Sequence, residues 1–152
     1  MKNLFLISLF SVLALTVNAQ NKTANSLSYK TAAGIKIWDG AGLSLKTFLN
    51  EKNALEFVGF FNSAGVRVVG LFEIYGDLNT EGNLKWYLGP GAHVGFYKGN
   101  NNVIGVDGVI GIDYKFSELP LNLSLDWQPS FEFTKGYGFA GGWGGLGARY
   151  TF

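Results

Sequence analysis

The sequence predicts an all-β fold, namely an eight-stranded antiparallel up-and-down transmembrane β-barrel. Three observations carry this prediction. Apolar and polar residues alternate with a period of two along most of the chain, which is typical of strands with two unlike faces. Clusters of turn-forming residues interrupt the alternation at regular intervals. Charged residues make up only 15% of the chain, against roughly 25% in ordinary soluble domains.

The beginning of the chain is predicted to be an export signal. A basic residue precedes an apolar stretch from Leu4 to Val17, and Val17-Asn18-Ala19 forms a compact cleavage site. The apolar stretch is short for an anchor helix, so cleavage is favoured over retention. The predicted divisions are a cleaved signal at 1–19, a flexible periplasmic lead-in at 20–28 and the barrel at 29–152.

Turn clusters divide the barrel region into eight strands. The clusters are Asp39-Gly40, Asn50 to Asn53, Ser63 to Gly65, Asn79 to Asn83, Gly99 to Asn102, Ser117 to Pro120 and Lys135-Gly136. The strands are expected at 31–38, 42–49, 54–62, 66–77, 84–97, 103–116, 121–134 and 138–152. Pro90 and Pro129 have no N–H to donate within a closed sheet, so we expect a bulge at each.

The alternation within the strands separates apolar from polar residues. In the seventh strand the odd positions read Leu, Leu, Leu, Trp, Pro, Phe, Phe, and the even positions read Asn, Ser, Asp, Gln, Ser, Glu, Thr. Strands four to six alternate in the same way, and nearly every charge falls on one face. A shift of one residue would turn Asp126 and Glu132 to the apolar face, so the register is predicted to be strongly fixed.

The polar face is predicted to point into the barrel. Alternation alone also fits a soluble barrel with an apolar interior. However, the polar face is rich in Gly, Tyr and Ser, which suits a crowded interior, and several strands exceed the 9–11 residues that cross a bilayer. Outward aromatic residues fall near strand ends, as membrane interfaces require. They are Trp86, Tyr114, Phe116, Tyr150 and Phe152 at the end with the termini, and Phe61, Phe96, Phe131 and Phe133 at the other. Trp127 does not fit this pattern.

Charged side chains of both signs share the predicted interior. The predicted polar network consists of Arg67, Glu73, His93, Asp107, Lys115, Asp126, Glu132 and Arg149. The same face carries Lys36, Lys46, Glu56, Asp77, Lys85 and Asp113. Neutralising ion pairs are therefore favoured over a hydrolytic or cation-binding site. Asp126 is expected to pair with Lys115 or Arg149, which lie on the flanking strands.

Several features together resemble a known family. The signal ending Val17-Asn18-Ala19, the eight alternating strands and the closing ARYTF resemble the small eight-stranded outer-membrane β-barrels of diderm bacteria, similar to the transmembrane domain of outer-membrane protein A. The stretches GPGAHVGFY, GVDGVIGIDYKF and LSLDWQPSF look like a compact porin-like subfamily. The resemblance implies the cell outer membrane as the location and outer-membrane lipid as a partner. It also implies that the barrel-assembly machinery reads Leu146, Tyr150 and Phe152 as an assembly signal.

Two functions follow from this fold: a structural membrane component, or a narrow channel for ions or small solutes. Eight strands enclose little more than their own side chains, and the predicted outer loops are too short for an adhesin. Two alternatives stay open. One is a secreted soluble lipocalin-like barrel that binds a lipophilic ligand in an apolar interior. The other is a barrel lipid hydrolase that depends on His93, although Gly95 stands where a nearby serine would be needed.

The composition argues against several other classes of function. The net charge is +1 without a basic run, so no nucleic-acid partner is expected. There are no cysteines, which excludes disulfides and thiolate metal sites. We predict no enzyme activity, no catalytic or metal-binding residues and no cofactor. The sequence does not determine the oligomeric state, and a monomer is favoured.

Overall fold

The computed structural model describes residues 29–79, 83–134 and 138–152. The predicted signal at 1–19, the lead-in at 20–28, most of the Asn79 to Asn83 turn and the Lys135-Gly136 turn lie outside the described residues. The described residues form strands and their connections, and none of them is helical. Accordingly, this part of the chain contains no helix long and apolar enough to span a membrane.

Ten strand segments lie within the described residues. They are β1 (Thr31–Trp38), β2 (Gly40–Phe48), β3 (Asn53–Phe61), β4 (Gly65–Asp77), β5 (Leu84–Tyr97), β6 (Asn101–Lys115), β7 (Leu121–Trp127), β8 (Ser130–Glu132), β9 (Phe139–Ala140) and β10 (Gly144–Thr151). The first six match the predicted strands to within two residues at each end. The seventh and eighth predicted strands are each interrupted, giving β7 with β8 and β9 with β10.

Antiparallel pairing closes these segments into an eight-stranded β-barrel. Consecutive strands pair from β1 to β6, and β6 pairs with both β7 and β8. β7 pairs with β10, and β10 pairs with β1 from Ile37↔Leu146 to Ala32↔Thr151, which completes the ring. We call the end that carries Tyr29 and Phe152 the near end and the opposite one the far end. The predicted all-β, eight-stranded antiparallel barrel is confirmed.

The two faces of the barrel wall are inverted relative to a water-soluble protein. Lys36, Glu56 and Glu73 on the interior face are completely buried. On the exterior face, Leu43 is 64% exposed and Ile110 is 54% exposed. In ordinary soluble proteins large aliphatic side chains are buried and Lys or Glu are almost never so. The sequence parity that places charges inside and apolar residues outside therefore describes the observed structure.

Glycines on the interior face make room for the charged side chains. A Cβ added at Gly111 would lie 2.6 Å from Cβ of Asp126 and 2.7 Å from Cζ of Tyr87. A Cβ added at Gly145 would lie 2.6 Å from Cγ of Lys36. These contacts are closer than real Cβ atoms allow, so the glycines are needed for the interior to accommodate long polar side chains.

The bulge predicted at Pro90 is absent. The pairing of β4 with β5 continues in one register from Leu71↔Gly91 to Ile74↔Leu88. The ladder lacks only the two intervening pairs, where Pro90 has no N–H to donate. The missing hydrogen bond thus changes the ladder locally without inserting a residue.

The bulge predicted at Pro129 lies instead on the facing strand. β6 keeps one register with β7 and β8 across this proline. The last barrel strand shifts by one residue, because Ser130 pairs with Ala140 whereas Trp127 pairs with Gly144. The extra residue therefore falls within 141–143, directly opposite the proline.

Two exposed tryptophans supply hydrogen-bond donors to this irregular segment. The indole N–H of Trp127 donates to the carbonyl of Gly141 over 2.7 Å, and that of Trp38 donates to the carbonyl of Gly142 over 2.6 Å. These carbonyls have left the regular ladder and would otherwise lack partners. The position of Trp127 away from the strand ends, which the aromatic pattern left unexplained, is accounted for by this role.

Outward aromatic residues lie near both ends of the barrel, as the sequence predicts. At the near end, the Tyr114 and Phe116 rings are 4.9 Å apart, and those of Tyr150 and Phe152 are 5.0 Å apart. At the far end, Phe96 is 56% exposed and Phe133 is 63% exposed. The exterior thus carries an aromatic row near each end, and the stretch between the rows is mostly aliphatic but includes Phe57.

Candidate functional site: the charged barrel interior

Seven charged residues form a continuous network across the middle and near part of the interior. We call this set the central cluster: Lys36, Lys46, Glu56, Glu73, Asp113, Asp126 and Arg149. Lys36 Nζ lies 3.0 Å from Glu56 Oε2 and 2.5 Å from Asp126 Oδ2. Asp126 also accepts hydrogen bonds from Tyr87 at 2.6 Å and Gln128 at 2.7 Å. Each of these buried charges thus has several partners.

Arg149 on β10 connects strands from both ends of the chain. Its guanidinium pairs with Glu56 on β3 and donates to Ser44 on β2 over 2.7 Å. It also donates to Asn122 and Ser124 on β7, over 3.1 and 2.8 Å. One buried side chain therefore joins the two sides of the seam at which the first and last strands meet.

Lys46 lies among the acidic side chains in the near part of the central cluster. Its ammonium lies 2.9 Å from Glu73 and 3.5 Å from Asp113, and it donates to the Tyr75 hydroxyl over 2.6 Å. Asn122 donates to Asp113 over 2.6 Å and so links this group to Arg149. These hydrogen bonds and ion pairs offset much of the free energy that is lost when the charged groups are removed from water.

Aromatic rings pack beside the central cluster towards the near end. Tyr29 contacts Phe48 edge to face, Phe48 lies 4.9 Å from Tyr75, and Tyr75 stacks on Tyr87 at 5.1 Å between centroids. The Lys46 ammonium lies 4.6 Å from the centroid of the Tyr87 ring. Burial, with the nearby Asp113 carboxylate, raises the pKa of Tyr29 well above its usual value. These rings fill the near part of the interior.

A second group of ionisable side chains lies towards the far end. We call it the far cluster: Arg67, His93, Asp107 and Glu132. Asp107 accepts from Arg67 Nη2 over 2.7 Å and lies 2.9 Å from His93 Nδ1. Glu132 is more distant, at 3.6 Å from Arg67 Nη1 and 3.9 Å from His93 Nε2. The Arg67 guanidinium lies 4.2 Å from the centroid of the Trp143 ring.

The far cluster is less completely hydrogen-bonded than the central cluster. Arg67 Nε, Arg67 Nη1 and His93 Nε2 are buried without a hydrogen-bond partner among the described residues. Among the described residues of the central cluster, one buried atom, Glu73 Oε1, lacks a hydrogen-bond partner. Unpaired buried donors cost about 1–3 kcal/mol each. We therefore expect the far cluster to contribute less to stability than the central cluster.

The structure brings seven of the eight residues of the predicted network into the interior. They are Arg67, Glu73, His93, Asp107, Asp126, Glu132 and Arg149. The prediction for Lys115 is corrected. Its ammonium donates to the backbone carbonyls of Phe116 and Leu119, over 2.5 and 2.8 Å, at the near end of the barrel. The predicted partner of Asp126 is corrected too. Asp126 pairs with Lys36, not with Lys115 or Arg149.

Neutral residues that the network prediction left out make essential connections. Ser44, Asn122 and Ser124 bond to Arg149, and Tyr87 bonds to Asp126. Their positions follow from the alternation, since all four fall on the polar face of their strands. Parity was thus the signal that could have found them.

The predicted assembly-signal residues lie on the exterior. Leu146, Tyr150 and Phe152 are exposed, and the last two stand at the near end of the last strand. They do not contribute to the interior network. Their accessibility is compatible with recognition from outside the barrel.

The charged side chains of the interior were also compared with the requirements of a metal site. Within residues 29–79, 83–134 and 138–152, no group of three or more His, Asp or Glu side chains could hold a metal ion. The chain matches no family model, no curated protein and no solved structure.

Proposed function

We propose that this protein is an integral β-barrel of the outer membrane that acts as a structural membrane component. The observation that carries the proposal is the inversion of the two faces, with buried ion pairs inside and large apolar side chains outside. In water this exterior would leave an apolar surface far larger than soluble monomers expose. In a bilayer it is the surface that acyl chains cover.

The closed barrel also meets the requirement that a bilayer places on the backbone. No water is present in the hydrocarbon region to bond exposed N–H and C=O groups, so strands can cross only as a closed ring. Here β1 pairs with β10, and the carbonyls of Gly141 and Gly142 accept from Trp127 and Trp38. The rows of aromatic residues near both ends fit the two membrane interfaces.

The filled interior favours a structural role over an open channel. Lys36 and Arg149 both bridge to Glu56, and the rings of Phe48, Tyr75 and Tyr87 lie beside them. Eight strands leave an interior only wide enough for such side chains. A channel for ions or small solutes would require these ion pairs to separate.

The two alternative functions have less support. A lipocalin-like barrel needs an apolar interior, but this interior holds fully buried charges such as Lys46 and Glu73. A lipid hydrolase needs a serine beside His93 on the lipid-facing surface. His93 instead points inward, and its Nδ1 lies 2.9 Å from Asp107. We therefore propose neither.

Fractionation tests the location. We expect the mature protein to stay in the outer-membrane fraction through an alkaline wash that strips peripheral proteins. Recovery in the wash or in the periplasm would contradict the proposal.

Planar-bilayer recording tests the closed interior. We expect the reconstituted wild-type protein to show no sustained open-channel current, because the interior is bridged by ion pairs. Steady currents from the wild type would favour the narrow channel over the structural role.

A further inference from the structure

A groove opens on the exterior of the barrel across β3, β4 and β5. Its volume is about 280 Å³, and none of the residues that line it is charged. The lining consists of Leu55, Phe57, Gly70, Leu71, Phe72, Pro90 and Gly91.

The groove arises from one absent side chain and one interrupted ladder. Gly70 stands between Phe57 on β3 and Ala92 on β5, so no large side chain projects at its position. A Cβ added there would lie 3.5 Å from Cε1 of Phe57, which is an ordinary van der Waals distance. Pro90 interrupts the β4–β5 ladder next to this position. The floor is thus backbone, and the walls are the rings of Phe57 and Phe72 with Pro90.

The groove lies halfway between the two aromatic rows. Pro90 stands near the middle of β5, with Trp86 towards the near end and Phe96 towards the far end on the same outward face. Gly70 has a similar place on β4. In a membrane-spanning barrel this position corresponds to the hydrocarbon region, where an occupant must itself be apolar.

We propose that this groove seats one acyl chain of a membrane phospholipid. The inference rests on the proposed membrane location and names a specific lipid site within it. A peptide segment would bring unpaired backbone groups into hydrocarbon, at a cost of several kcal/mol each. The volume is just under the range of about 300–1,000 Å³ found for small-molecule sites. It suits a single slender chain better than the several linked chains of a lipopolysaccharide.

Photocrosslinking in vesicles tests the site. The full mature protein is reconstituted in phosphatidylethanolamine and phosphatidylglycerol vesicles that contain a phospholipid with a photoactivatable group in mid-chain. Adducts are then mapped by tandem mass spectrometry. We expect several-fold more adducts on Phe57 and Phe72 than on Leu125, which lies on the opposite part of the apolar exterior.

Two glycine variants provide a matched comparison. Gly70→Leu fills the groove and should reduce its adducts to the level of the remaining exterior. Gly59→Leu also adds an outward side chain beside a phenylalanine, since its Cβ would lie 3.6 Å from the Phe61 ring, but it does not line the groove. It should leave the adducts unchanged. Phe57→Ala removes one wall and should lower the yield on Phe72, which gives a second test if Gly70→Leu does not fold.

Three outcomes would overturn the inference. Even labelling of the wild-type exterior would mean that acyl chains contact the groove no more often than they contact the rest of the apolar surface. Groove-dependent dimerisation, or loss of the groove adducts when lipopolysaccharide is added to the vesicles, would assign the groove to another occupant. In each of these outcomes, insertion of the protein into the vesicles would still support the proposed membrane location. A mature protein that stays in solution would contradict both proposals.

Discussion

The central and far clusters are both buried ion-pair networks, yet they join different parts of the barrel. Arg149 of the central cluster bonds to β2, β3 and β7, and therefore spans the seam between the first and last strands. The far cluster joins β4, β5, β6 and β8, which are already paired as neighbouring strands and lie away from that seam. Only the central cluster therefore opposes the opening of the ring.

The two clusters also differ in how completely their polar atoms are paired. Arg149 bonds to four residues, whereas Arg67 makes one short ion pair, with Asp107. Buried charge stabilises a fold only where hydrogen bonds offset desolvation. The same residue type in the same barrel interior should consequently contribute different amounts, and substitutions at the two sites measure the difference.

Arg149→Met should have the largest effect. It removes the bonds across the seam and leaves Glu56 with Lys36 and Ser44 alone, and breaking a buried pair in this way costs about 3–5 kcal/mol. The free energy of unfolding in urea, measured for the protein in detergent micelles, should fall by that amount. A loss below about 1 kcal/mol, which is the range of exposed ion pairs, would contradict the claim that the central cluster stabilises the closed barrel.

Arg67→Met is the matched variant in the far cluster. Asp107 keeps His93 as a partner, so the expected loss is about 1.5–3 kcal/mol, the range for one hydrogen bond to a charged group. The same urea titration gives the comparison. If this variant is destabilised as strongly as Arg149→Met, then the number of hydrogen bonds that each arginine makes does not determine its contribution to stability.

A double-mutant cycle of Lys36→Met with Asp126→Asn sharpens the description of the central cluster. The two charged groups lie 2.5 Å apart, so a coupling free energy of about 0.5–3 kcal/mol is expected. The cycle of Lys115→Met with Asp126→Asn is the control and should show a coupling within about 0.5 kcal/mol. Larger coupling to Lys115 than to Lys36 would restore the partner expected from the sequence.

Glu132→Gln should have the smallest effect. Glu132 is partly exposed and stands 3.6 Å or more from Arg67 and His93, so a loss below about 1 kcal/mol is expected. Lys85→Gln, in the exposed pair with Asp77, sets the baseline for an ion pair screened by water. A loss at Glu132 well above this baseline would show that the far cluster is tighter than its distances indicate.

The strands and the two faces could be predicted from the sequence because they depend on local pattern. A period of two with charges on one parity specifies where strands run and which side chains share a face. It placed Asp126 and Arg149 in the interior without knowledge of any contact. The two aromatic rows could be predicted for the same reason, since parity and distance from a turn determine where their residues lie.

Contacts across the interior could not be predicted in this way. Which side chains meet inside depends on the stagger with which β1 closes on β10, and no local pattern encodes that register. The sequence therefore suggested partners for Asp126 on flanking strands, whereas Lys36 reaches it from β1 over the space left by Gly145. Lys115 was placed in the network by parity alone, but it stands so close to the near end that backbone carbonyls are within reach.

Gel mobility of the detergent-extracted mature protein, unboiled against boiled, tests the inverted barrel most directly. A closed barrel with an apolar exterior binds detergent without unfolding, and it stays compact until heat separates its strands. The account predicts that the unboiled protein from the outer-membrane fraction migrates as a distinct, faster band that boiling abolishes. A freely soluble protein with one mobility in both samples would contradict it, because the apolar face would then have to point inward.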